Sequence, residues 1–435
     1  MVDKTLDKIN TFIPEKWRWV LLHGGFRKYF KNTGWMFLGQ FFYLFLSFFI
    51  GAWIARYLGP EKYGIVSYVV AFVGLFAFAS SLGVDGVIQR ELVSKPEKKN
   101  ELLGTGFRLK LIGAIAAFFL VVLASVIFAS DNILVQVLII VFSLNFFLQA
   151  PSIISNFFYA QVKAKKPIQA QIFTTLISSV LKIALILFGG GIIWLIVIYI
   201  LDVIWTSLFL VYLYKREGYK ISAWKYDKMV AKFLWKDSWP LMLSAAAATI
   251  YLRIDQVMVG QILGEMAVGI YAAGVKMTEI FYFIPVIIAS SLFPAIVNAR
   301  KTNINIYLSR LKNLYLLLGV LALLIAIPIS IFSELIVNLV FGPDYLASAS
   351  ILRLYVWSSI GFFIASGIGN KLMAENRTQA IFGVNLASMI INIVLNLYLI
   401  PMLGLIGAAL ATLLSYSAMP FWLFLIDRQR SAQKF

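Results

Sequence analysis

Twelve stretches of about 20 or more mostly apolar residues divide this chain, and each can cross ~30 Å of hydrocarbon as a helix. They fall at roughly 34–57, 64–88, 109–129, 133–159, 170–188, 192–213, 238–262, 267–298, 313–333, 351–371, 380–399 and 404–426. A soluble core has no room for them. The chain is 61% hydrophobic and 13% charged, against ~45–50% and ~25% in ordinary globular domains. The connections are short, and even residues 334–350 are too few to hold a core of their own. The expected class is an all-α membrane protein whose work is done within or across the bilayer. Residues 1–33 are polar and basic, without the apolar core and cleavage site of a signal peptide, so the first span is expected to direct insertion.

The net charge of +18 would suit a nucleic-acid partner if it were clustered on one face. It is not clustered. With a cytoplasmic N-terminus, segments 1–33, 89–110, 160–169, 214–237, 299–312, 371–379 and 427–435 hold 32 of the 38 Lys and Arg residues. The outside connections hold only Arg56 and Lys62. Lys182, Arg253, Lys276 and Arg353 lie within or at the edge of spans. This bias puts both termini in the cytoplasm and leaves no basic face for nucleic acid. With no cysteine, disulfides, thiolate metal sites and thiol catalysis are excluded. The single histidine, His23, sits in the polar N-terminal segment, so neither a metal site nor any other cofactor is expected.

The chain repeats itself at a spacing of 205 to 210 residues. Leu58-Gly59-Pro60-Glu61-Lys62-Tyr63-Gly64-Ile65 matches Leu263-Gly264-Glu265-Met266-Ala267-Val268-Gly269-Ile270. Ser80-Ser81-Leu82 matches Ser290-Ser291-Leu292, and Gln169-Ala170 matches Gln379-Ala380. Six spans separate the equivalents, so the halves run in the same direction. That predicts two six-helix lobes related by a pseudo-twofold axis along the membrane normal, with a site between them. The expected division is a cytoplasmic segment 1–33, an N-lobe 34–213, a linker 214–237, a C-lobe 238–426 and a tail 427–435. In the linker, Lys225, Lys228, Lys232 and Lys236 recur at helical spacing, which fits a helix lying on an anionic membrane surface. Arg18, flanked by Trp17 and Trp19, has the same character.

Ionisable groups inside spans are costly and line a cavity or find a partner. Lys182, Asp202, Arg253, Asp255, Lys276 and Glu279 all fall between the midplane and the outer half. Two readings are open. The six charges sum to zero and can form a closed structural cluster. Alternatively, Lys182, Arg253 and Lys276 form a cationic patch for an anionic headgroup, since Arg and Lys suit phosphate. Polar stripes at helical spacing accompany them: Gln40, Tyr43, Ser47 and Gly51 on the first span; Asn145, Gln149, Ser152 and Asn156 on the fourth; Thr175, Ser178 and Lys182 on the fifth. The fifth-span stripe has equivalents in Asn385, Ser388 and Asn392. These faces either line a hydrated cavity or glue helices together.

Arg56 to Gly64, Phe78-Ala79-Ser80-Ser81-Leu82-Gly83-Val84-Asp85-Gly86, Arg90-Glu91-Leu92-Val93, Arg253 to Gly260, Val268 to Ala273, Lys276 to Glu279 and Phe293-Pro294-Ala295 together carry a family resemblance. The chain resembles the O-antigen and exopolysaccharide flippases of the multidrug/oligosaccharidyl-lipid/polysaccharide exporter superfamily over nearly its whole length. The resemblance implies no enzyme but a flippase in the bacterial cytoplasmic membrane. Such a protein moves a polyprenyl-pyrophosphate-linked oligosaccharide outward by alternating access, as one chain among membrane lipids and other polysaccharide-assembly membrane proteins. Members are often ion-coupled, so Asp202, Asp255 and Glu279 become candidates for H⁺ or Na⁺. The rivals are a multidrug exporter of the same superfamily and, from another class, a membrane-embedded polysaccharide polymerase or ligase.

Overall fold

The computed structural model describes residues 24–128, 132–375 and 377–431. Trp17, Arg18, Trp19, His23 and the last four residues lie outside that range. Among the described residues there are helices, turns and no strands. Among the described residues, eleven helices are long and apolar enough to cross a membrane. The first of them, Gly34–Gly74, contains the first of the twelve expected spans and the beginning of the second, which continues through Ala77–Ser81 and Val84–Ser94. Gly59 breaks it (φ 74°, ψ 168°) and Pro60 starts the second half. Proline is tolerated there because a first-turn N–H has no helical acceptor anyway. Gly264 takes nearly the same conformation (φ 88°, ψ 175°) between Lys228–Leu263 and Glu265–Glu279. Both turns need positive φ, which glycine adopts without a steric cost. The repeated Leu-Gly pair of the sequence is therefore a repeated helix-reversing turn.

The two turns meet. A β-carbon built on Gly64 would overlap the carbonyl oxygen of Glu265, and one on Gly269 would overlap the carbonyl oxygen of Pro60. Pro60 and Glu265, like Gly64 and Gly269, are equivalents at a spacing of 205 residues. Such reciprocity is what a twofold axis running between the two helices produces. Around this junction Tyr345 Oη donates to the Ala55 carbonyl (2.8 Å), and Arg56 donates to the Leu339 carbonyl (3.3 Å). Gln261 donates to the Phe128 carbonyl (2.7 Å). This is the closed end of the molecule.

The core divides accordingly. At the closed end one apolar cluster runs across both lobes, joining Ile54, Tyr68 and Ile196 to Val259, Tyr271 and Tyr355. Toward the opposite, Lys- and Arg-rich end it splits. Val84, Ile88, Phe157 and Tyr214 form an N-lobe cluster; Leu311, Leu318 and Phe363 form a C-lobe cluster, beside a second around Tyr416 and Leu372. Two lobes sharing one core at one end and holding separate cores at the other enclose a wedge of space.

The linker is not a free-standing surface helix. Residues 217–227 are irregular except for one short turn, Ile221–Ala223. Asp227 then caps a helix, its side chain accepting from the backbone of Met229 and Val230 (2.7 and 2.9 Å). That helix runs unbroken from Lys228 to Leu263, with Pro240 inside it. Lys225 therefore lies before the helix, while Lys228, Lys232 and Lys236 are exposed on it. Leu234 and Val230 pack into the N-lobe cluster, and Arg90 of the N-lobe binds Asp237 at 2.8 Å. The boundary expected at 237/238 thus falls inside one helix, whose first turns are fixed to the opposite lobe.

Candidate functional site

Between the lobes lies a cavity of about 650 Å³. Lys182, Arg253 and Lys276 all line it, with Asp202, Glu279, Tyr43, Gln149, Thr175 and Ser178. The fifth span supplies the largest polar part of the wall, through Gln171, Thr174, Thr175, Ser178, Ser179 and Lys182, because spacings of three and four repeat one helical face.

The charges inside are arranged unequally. Lys182 Nζ lies 3.2 Å from Asp202 Oδ2, 4.7 Å from the centre of the Tyr199 ring, and Ser178 donates to the same carboxylate oxygen (2.8 Å). Arg253 and Glu279 make a looser pair at 3.7 Å, with the Arg side chain 42% exposed. Lys276 has no carboxylate within ion-pair distance among the described residues. Its ammonium points toward the Tyr63 ring (6.0 Å) and occupies space that only a glycine at Gly51 leaves open. Three cations and two carboxylates line the cavity, a surplus of one positive charge at membrane depth.

The closed, zero-sum cluster does not form, because Asp255 is elsewhere. It is 2% exposed inside the C-lobe. Two residues from Arg253 on a helix, it points some 200° around the axis. Its Oδ2 accepts from Tyr271 Oη (2.7 Å) and at longer range from Thr412 Oγ1 (3.4 Å), and Oδ1 accepts from its neighbour Gln256 N (2.8 Å). Asn392 donates to Thr412 (3.5 Å), and Asn396 donates to Asn392 (2.9 Å). The Asn396 carbonyl oxygen and the Ser388 hydroxyl have no partner among the described residues. Asp255, Tyr271, Thr412, Asn392 and Asn396 thus form one hydrogen-bonded chain with no cationic side chain among the described residues. Oxygen donors of this kind suit a hard cation or a proton.

Several expected cavity residues are placed differently. Gln40 and Asn385 do not line the cavity. Asn392 belongs to the buried C-lobe network. Asn145 is buried in the fourth span with its side-chain oxygen unpartnered, and Asn156 donates to Asp85 (2.6 Å). Glu279 pairs with Arg253 and not with Lys276, three residues before it on the same helix. Periodicity identifies polar faces but not the faces opposite them. The residues missed by sequence reasoning were Gln171, Thr174, Ser179, Thr206, Ser207, Gln256 and Ser67, all lining the cavity. Thr206 follows Asp202 by four and Ser67 follows Tyr63 by four, so both were within reach of the same periodicity. Lys110, assigned to a cytoplasmic segment, is 7% exposed and paired with Asp85 at 2.7 Å.

A two-lobed helical bundle with a charged, hydroxyl-lined cavity between its halves defines a multi-pass membrane transporter fold. The chain belongs to the family of polysaccharide biosynthesis proteins, which matches residues 29–300. A probable low-salt glycan biosynthesis flippase, Agl15 of Haloferax volcanii, is 24% identical over 401 residues, covering 88% of this chain and 80% of its own length. The inward-facing structure of a multidrug resistance MATE transporter of the MOP superfamily superposes with a TM-score of 0.74 at 16% identity. That match covers 91% of this chain and 95% of the other. The lipid II flippase MurJ, in an inward closed conformation, gives 0.70 at 18% identity over 92% and 87%. The fold is that of the superfamily, and the two-lobe plan agrees with it.

Proposed function

We propose that this protein is a flippase that carries a polyprenyl-pyrophosphate-linked oligosaccharide from the inner to the outer leaflet of the cytoplasmic membrane, for a surface polysaccharide. The observation that carries this reading is Lys276, an ammonium with no carboxylate partner among the described residues, facing a cavity rich in neutral hydroxyls and amides. A pyrophosphate cannot enter hydrocarbon unaided. Lys276, with Lys182 and Arg253 loosened from their acids, replaces its hydration shell, while Ser, Thr and Gln groups replace that of the sugars. The polyprenyl tail remains in lipid. A multidrug exporter for cations would present free acids to its cavity, whereas Asp202 and Glu279 each face a cation.

The Lys- and Arg-rich end is cytoplasmic by the positive-inside rule, so both termini are inside and the closed end faces outward. Transport requires the Gly64–Gly269 junction to part while the basic ends approach, a two-state exchange about the cavity. Asp255 carries the coupling H⁺ or Na⁺. One chain holds both lobes and works as a monomer. The test is reconstitution in liposomes with lipid-linked glycan from the source cells and a membrane-impermeant glycosidase outside. Protein-dependent loss of the protected half of the glycan is expected. No increase over empty liposomes, with folded protein present, refutes the reading.

A further inference from the structure

A second, smaller chamber of about 130 Å³ lies in the N-lobe beside the cavity, and the two share Gln149 and Ser152. Irregular backbone is tolerated at membrane depth only where it is buried or lines a polar space, and two spans break here. The second span is interrupted on both sides of Ala77–Ser81, with Leu82 and Gly83 at positive φ. The fourth passes through Asn145–Leu148 and the tight turn Ala150–Ser152. Within the chamber Lys110 is 7% exposed. Its ammonium donates to Ser152 Oγ (2.8 Å) and meets Asp85 Oδ1 (2.7 Å). Asn156 also donates to Oδ1, while Oδ2 takes no bond from the described residues, and the Asp85 side chain is 41% exposed. Phe146 lines the chamber too.

The geometry points to a glycan subsite: the chamber receives a neutral sugar ring of the lipid-linked oligosaccharide while the cationic cavity holds the pyrophosphate. This rests on the flippase reading. A ring with hydroxyls needs groups that both donate and accept, and an apolar surface for its face. Asp85 accepts, Lys110 donates, Gln149 and Ser152 do both, and Phe146 supplies the apolar surface. The charge differs in the way this assignment requires. Lys110 and Asp85 cancel, which suits a neutral sugar, whereas the main cavity keeps one positive charge for an anion. At ~30 Å³ per liquid water, the space takes the place of about four waters, enough for the hydroxylated edge of one ring entering from the main cavity. A purely structural ion pair would need neither the space nor the free carboxylate oxygen.

The probes are the polyprenyl-linked glycan extracted from the source cells and a bare polyprenyl pyrophosphate of the same chain length, each titrated against the full chain in nanodiscs. Wild type should bind the glycan-bearing lipid roughly tenfold more tightly, the worth of one or two hydrogen bonds. Ala77 lines the chamber, and Ala77→Leu, which fills it without removing a hydrogen bond, should sharply reduce the difference and leave bare-lipid affinity unchanged. Ser81→Ala, which removes another hydroxyl lining the chamber, should reduce it. Bare-lipid affinity in each variant reports that the main cavity is intact. If Ala77→Leu and Ser81→Ala discriminate as wild type does, or wild type binds both lipids equally, the subsite is refuted while the flippase reading stands. If wild type binds neither, the flippase reading falls and takes the subsite with it.

Discussion

Gly64 is the position where one added carbon should redistribute the whole molecule. A methyl group there overlaps the Glu265 carbonyl oxygen, which belongs to a helix backbone and cannot rotate away. The two helices must separate to admit it. Overpacking of this kind costs about 1–3 kcal/mol, and the contact exists only while the closed end is closed. The penalty therefore falls on that state alone and shifts the equilibrium toward opening by about 5- to 150-fold. Gly269→Ala should act alike through the Pro60 carbonyl. The double variant should fall short of additivity, because a single separation relieves both overlaps. The chain has no cysteine, so Lys62→Cys with Met266→Cys, both exposed, places two spin labels across the junction without further changes. Distance distributions in nanodiscs should show a short population in the parent and a longer one dominant in Gly64→Ala. Gly86→Ala is the control, since a β-carbon there meets nothing within 4 Å. An unchanged distribution in a folded Gly64→Ala, or the same shift in Gly86→Ala, refutes the reasoning.

Lys276→Met should weaken binding of bare polyprenyl pyrophosphate by about 10- to 100-fold, the worth of one hydrogen bond to a charged group at ~1.5–3 kcal/mol. Titration in nanodiscs measures it. Asp255→Asn keeps the shape of the Tyr271 and Thr412 contacts but removes the negative charge, so transport should lose its dependence on the H⁺ or Na⁺ gradient while lipid binding persists; liposome assays with each gradient imposed separate the two ions. At the Lys- and Arg-rich end, Lys163 and Lys166 pull the Glu217 carboxyl down to about 2, each at 2.8 Å. A depressed carboxylate stabilises above its unfolded value near 4.5 and stops doing so as the pH falls through about 2. Hydrogen exchange around 161–167 and 214–219 should therefore be insensitive to this group above about pH 4.5 after correction for intrinsic rates, and Glu217→Gln should raise it at neutral pH. Equal protection in the variant would show that the pair contributes nothing.

Local and additive properties were legible in the chain. A span is an apolar run of the right length and a polar face is a period near 3.6; each depends on neighbours in sequence. The repeat was legible too, and with it the axis, because Leu58-Gly59 and Leu263-Gly264 fold into the same turn. Even Lys182, Arg253 and Lys276 could be placed at one depth by counting along their helices. The partners of those charges required the tertiary structure. Asp255 stands two residues from Arg253, yet helix geometry sends it into the C-lobe interior, so the balanced set of six charges becomes a cavity with one surplus cation. Lys110 counts as cytoplasmic until the broken second and fourth spans close around it. The lysine-spaced linker belongs to the N-lobe because Leu234 finds an apolar cluster there. Hydropathy and period are summed along one helix, whereas pairing, burial and the surplus charge depend on which helix stands opposite, and that is settled only when all of them pack together.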